Sequence, residues 1–72
     1  MLKKRSISLK GHATSVALEP EFWSVLETQA NARAITLAAL VAELDETRGP
    51  RPLASACRVA ALTWLRARGR EF

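Results

Sequence analysis

The chain contains one cysteine, Cys57, and one histidine, His12. A structural zinc takes about four ligands, so these two cannot hold one, and a single cysteine closes no disulfide within the chain. The three glycines lie far apart, at 11, 49 and 69, so no glycine-rich loop cradles a phosphate. Ser-His-Asp, Cys-His and CxxC arrangements are absent as well. Glu43, Asp45 and Glu46 read as the solvated face of a helix, not as paired catalytic carboxylates. His12 reads as an exposed turn residue, and Cys57 as a small core residue. No enzyme activity and no cofactor are expected from this inventory.

The chemistry that remains is electrostatic. Lys3, Lys4, Arg5 and Lys10 give residues 1–12 a balance of +4 with no acid. Residues 13–47 carry Arg33 against six acids, a balance of −5, and residues 48–72 carry six arginines against Glu71, a balance of +5. Cations gathered at the two ends of the sequence suit a polyanion such as DNA phosphate. Trp23 and Trp64 both fall in apolar stripes, which makes them core or interface residues before base-stacking platforms.

The elements that position these residues are legible from periodicity. Residues 5–10 and 13–18 alternate apolar and polar, with Ile7, Leu9, Val16 and Leu18 on one side. Gly11-His12 between them fits a two-residue type II′ turn, which needs positive φ at its first position. That turn pairs Leu9 with Thr14 and Ile7 with Val16. Pro20 starts a helix over about 20–33, where its missing N–H costs nothing; its stripe runs through Phe22, Val25, Leu26, Gln29, Ala30 and Arg33, with Trp23 at the flank. Thr36 is a good N-cap for a second helix over about 37–48, whose stripe is Leu37, Leu40, Val41 and Leu44. Gly49 and Pro50 end it. A third helix is expected over about 53–68.

That third helix is apolar around most of its circumference, from Leu53 through Leu65. Such a helix must be buried on more than one side, and 72 residues form one domain with little material to spare. With disulfide and metal unavailable, oligomerisation is the remaining way to stabilise so small a fold. A homodimer is therefore expected. No stretch has the composition of a secretory signal or a membrane span, and a lone cysteine suits a cytoplasmic location.

The run Ser15-Val16-Ala17-Leu18-Glu19-Pro20-Glu21-Phe22-Trp23, followed by Leu26, Ala30 and Ile35-Thr36-Leu37-Ala38-Ala39-Leu40-Val41, resembles the ribbon-helix-helix family over about residues 13–47. The Lys4-Arg5-Ser6 start, the Gly11-His12 turn and the Arg48-Gly49-Pro50-Arg51 connector resemble a group of short bacterial members with an extra N-terminal strand and a C-terminal third helix. The resemblance implies a mainly α, intertwined homodimer whose short β-ribbon pairs residues 14–18 with the same residues of a second copy. Val16, Leu18, Phe22, Leu26, Leu40, Leu44 and Leu62 would then form the dimer core. In DNA-binding members the outward ribbon residues read the major groove and the start of the second helix seats a phosphate. Carried onto this chain, those roles fall to Ser15, Ala17 and Thr36, with Lys3, Lys4, Arg5 and Lys10 on the backbone.

The outward ribbon residues depart from the reading pattern: Ala13, Ser15 and Ala17 offer one hydrogen-bonding side chain between them. Two functions follow from this balance. One is a transcriptional regulator binding double-stranded DNA, and the other is a module on the same dimer scaffold that binds another protein.

Overall fold

The computed structural model describes residues 1–69 and comprises a β-hairpin followed by three helices. Strands β1 (Lys3–Leu9) and β2 (His12–Leu18) form a two-stranded antiparallel sheet. Helices α1 (Pro20–Ala32), α2 (Leu37–Thr47) and α3 (Leu53–Gly69) pack against its apolar side.

The hairpin forms as expected, but its turn and register differ from the sequence reading. Lys10 and Gly11 are the turn residues, with φ of 52° and 84°. Positive φ at both positions is the signature of a type I′ turn, which matches the right-handed strand twist. Leu9 therefore faces His12 and Ile7 faces Thr14, where a Gly11-His12 turn would have paired Ile7 with Val16. The shift moves each partner by two residues, an even number, so every side chain keeps its face. Ile7, Leu9, Val16 and Leu18 are all buried. The register also carries β1 back to Lys3 opposite Leu18, and the Lys3 carbonyl accepts a 2.8 Å hydrogen bond from the Trp23 indole. The hairpin is thereby tied to α1.

Pairing in this chain is within the hairpin, and β2 has no second neighbour among the described residues. The edge through which the resemblance would pair β2 with a second copy is open.

In α1 the Glu19 carbonyl accepts from the amides of Phe22 and Trp23 while Pro20 occupies the first turn. Its buried line is Trp23, Leu26 and Ala30, so Trp23 lies at the centre of the stripe and Phe22 and Val25 are half-buried beside it. The helix faces the hairpin one residue further round than the apolar spacing indicated. The helix ends with the Ile35 amide on the Ala30 carbonyl and the Ala34 amide on the Asn31 carbonyl, both 3.0 Å. These are the two bonds of a Schellman cap, with Ala34 in the left-handed position at φ 57°.

Thr36 caps α2 as expected, its Oγ1 accepting from the Ala39 amide at 3.0 Å. Gly49 at φ 60° ends the segment after α2. Leu18, Leu26, Leu40, Val41 and Cys57 are the largest fully buried side chains, so strand β2 and all three helices share one core. Helix α3 buries Ala56, Cys57 and Ala61 along one line only. The expectation of burial on more than one side is not met by this chain's own elements: Val59 and Leu62 are 43% and 41% exposed.

Candidate nucleic-acid interface

The hairpin presents two faces of opposite character. The inward face carries Lys3, Arg5, Ile7 and Leu9 from β1 with His12, Thr14, Val16 and Leu18 from β2, Lys3 and His12 lying exposed at its ends. The outward face carries Lys4, Ser6 and Ser8 opposite Ala17, Ser15 and Ala13. Ser15 is exposed and Ala17 half-buried. This outward surface is nearly neutral, with Lys4 its single charge.

The four cations gathered by the sequence are placed differently in the structure. Arg5 belongs to the inward face: its guanidinium lies 5.0 Å from the centre of the Trp23 ring and Nη1 donates to Glu27 Oε2 at 2.8 Å. Lys10, in the turn, pairs with Glu46 of α2 at 3.5 Å. Lys3 and Lys4 are exposed, and neither has an ion-pair partner among the described residues. The structure thus separates two cations available to a polyanion from two already engaged by carboxylates.

Thr36 lies at a shallow pocket of about 260 Å³ between the end of α1 and the start of α2, lined by Glu27, Ala30, Asn31, Ile35, Thr36 and Leu37. Backbone amides at a helix start favour an anion, yet the lining includes Glu27, whose carboxylate accepts from Arg5. Glu27 was invisible as a functional residue in the sequence, because its partner Arg5 is 22 positions away.

Glu19, next to β2, is neutralised locally. Arg58 Nε donates to Glu19 Oε1 at 3.0 Å, and that hydrogen bond holds the carboxyl below its ordinary value of 4.5. Arg58 also lies 5.8 Å from the Phe22 ring. Glu43 is held low in the same way by a two-pronged hydrogen bond from Arg33, at 2.8 and 3.0 Å. Cys57 is fully buried and burial pushes its thiol up to about 11, which makes it an unreactive core group. Trp64 is half-buried, with Arg68 stacked 4.6 Å from its ring centre.

The residues assigned to a dimer core divide in two. Val16, Leu18, Leu26 and Leu40 are buried by the chain's own elements, while Phe22 and Leu44 are half-buried and Leu62 is exposed. Phe22 and Leu62 meet Val25, Val59 and Leu65 in an apolar groove of about 420 Å³ between α1 and α3, with Glu21 and Arg58 at its rim.

The hairpin, the proline-started helix, the capped second helix and most of the third helix fall within residues 2–65, which the model of the ribbon-helix-helix domain matches. The chain belongs to the ribbon-helix-helix family. Domains of this family are in general DNA-binding regulators. Among solved structures, an uncharacterized protein from Bordetella pertussis Tohama I is similar to this chain at 36% identity and a TM-score of 0.78. The similarity covers 97% of this chain and 62% of that protein, so this chain spans less than two thirds of its length. No curated protein matches. Among the described residues, no helix is long and apolar enough to cross a membrane, and no cluster of three or more potential metal-ligating side chains occurs.

Proposed function

We infer that this ribbon-helix-helix protein acts as a homodimer in the cytoplasm and binds double-stranded DNA as a transcriptional regulator. The observation that carries the reading is that Lys3 and Lys4, on the extra strand β1 beside the ribbon strand β2, are exposed and without carboxylate partners among the described residues. Two copies supply four such cations. Ser15 and Ala17 face outward with little capacity to read bases, so affinity comes from phosphate contacts and discrimination between sequences is weak. Thr36 fixes the start of α2 near the same hairpin, where its amides suit a phosphate.

The test is a salt titration of binding to a random-sequence duplex. Four phosphate contacts give a log–log slope of about −3.6, whereas eight, with Arg5 and Lys10 also engaged, would give about −7. The ion pairs to Glu27 and Glu46 favour the shallower slope. Replacing both Lys3 and Lys4 with alanine should remove most of the binding, equally for every duplex. Retention of tight, sequence-selective binding by that variant would overturn the reading.

The second reading is a protein-interaction module on the same scaffold. The apolar groove between α1 and α3 favours it, as does the muted outward face of the hairpin. Absence of any duplex binding at low salt would decide for it.

A further inference from the structure

Of the four hairpin cations, Arg5 is held most closely, and the group that holds it also stands at the pocket beneath the start of α2. Glu27 Oε2 is 2.8 Å from Arg5 Nη1, and Glu27 lines the pocket that contains Thr36 and Leu37. A phosphate reaching this end of the hairpin would therefore meet the Arg5 guanidinium only after the Glu27 carboxylate had let it go. Both side chains are substantially exposed, 39% for Arg5 and 50% for Glu27. An ion pair in that setting is weak enough to exchange partners. A phosphate offers the guanidinium the same two-oxygen geometry as a carboxylate, with more charge.

We propose that Glu27 is an internal competitor for DNA phosphate: its carboxylate occupies Arg5 and lowers the affinity of the hairpin for duplex. The proposal rests on the DNA-binding reading above and adds the regulation of that site. Arg5 is poised for the exchange because its guanidinium is already placed against the Trp23 ring, leaving one partner to change instead of a whole side chain to order. In the resting protein the Arg5–Glu27 pair is closed, and duplex binds through Lys3 and Lys4. Removing the carboxylate's charge frees one cation per chain.

The experiment compares duplex binding by the full chain and its variants, using fluorescence anisotropy with a random-sequence duplex across a salt series. Glu27→Gln should tighten binding at low salt on the order of tenfold, since two weak pairs per dimer are released. Its slope should steepen by about 1.8, two additional phosphate contacts per dimer at about 0.9 each. Arg5→Ala alone should change affinity little, and Arg5→Ala combined with Glu27→Gln should lose the steepened slope. Glu21→Gln removes the same charge from α1 without releasing a cation, and should leave the slope unchanged. Circular dichroism melting of each variant shows whether the fold is retained. If the parent binds duplex and Glu27→Gln binds with the same affinity and slope, the competitor role is overturned and DNA binding stands. An equal gain from Glu21→Gln overturns it too, because the effect would then be one of net charge. If neither the parent nor Glu27→Gln binds duplex at low salt, the DNA-binding reading itself fails.

Discussion

Glu19 and Glu43 show what single charged residues do in this fold. Glu19, half-buried, and Glu43, exposed, are carboxyls held below their ordinary value of 4.5 by a guanidinium, from Arg58 and from Arg33 respectively. Each pair joins two elements: Arg58 brings α3 to the entrance of α1, and Arg33 brings the end of α1 to α2. A carboxyl whose folded value is depressed stabilises the protein fully above its unfolded value, and loses that contribution as pH falls through the folded value. Thermal unfolding followed from pH 7 downward should therefore show stability falling below the ordinary carboxyl value of 4.5. The double variant Glu19→Gln, Glu43→Gln should show a visibly flatter acid limb. An acid limb unchanged by the double substitution would mean that these pairs hold nothing in solution. None of these partners could be read from the sequence, where Glu19 and Arg58 stand 39 positions apart. Charge type was visible; who meets whom depends on how three helices close around one core.

At the scale of the element, most boundaries follow from residues whose chemistry is unambiguous: Pro20 at a helix start, Thr36 as a cap, Gly49 and Pro50 as a stop. The hairpin register is different. Turns at Gly11-His12 and at Lys10-Gly11 place the same four apolar residues inward, so alternation cannot choose between them. A distant contact, the Trp23 indole on the Lys3 carbonyl, accompanies the register that forms. The same contact explains why Trp23 occupies the middle of the α1 stripe, a rotation that hydrophobic spacing alone leaves open. Ala34 is a further case, since nothing in its side chain announces a left-handed cap. Holding alanine at φ 57° costs about 1–2 kcal/mol, while glycine there would return roughly 0.4–1 kcal/mol as extra freedom in the unfolded chain. Ala34→Gly should therefore stabilise the protein by about 0.5–1 kcal/mol, measured as a higher denaturant midpoint with unchanged slope. A destabilised variant would show that the Schellman cap between Ala30 and Ile35 is not what ends α1.

The whole molecule poses the question that the sequence raised first, namely what covers α3. This chain buries Ala56, Cys57 and Ala61 against its own core and leaves Val59 and Leu62 in contact with water, in a groove shared with Phe22, Val25 and Leu65. The open edge of β2 is a second unfinished surface, because unpaired strand edges invite another chain. Leu62 distinguishes the behaviour of the single chain from that of an assembly. Within one chain its side chain is already 41% exposed, so truncation to alanine should cost well under the about 2–5 kcal/mol of a fully buried leucine. If a second copy closes over the groove, the missing part of that cost appears as weaker association instead. We therefore expect the parent protein to unfold at a temperature that rises with concentration, as required when folding and association are coupled. Leu62→Ala should lower the melting temperature and shift sedimentation equilibrium at micromolar concentration toward the monomer. Cys57 is buried whether or not a partner is present, so Cys57→Ser, which alters the core alone, should lower the melting temperature without increasing its dependence on concentration. A folded monomer at micromolar concentration, melting at one temperature regardless of dilution, would show that Val59 and Leu62 face water in the working protein and that the third helix completes one chain's core instead of joining two.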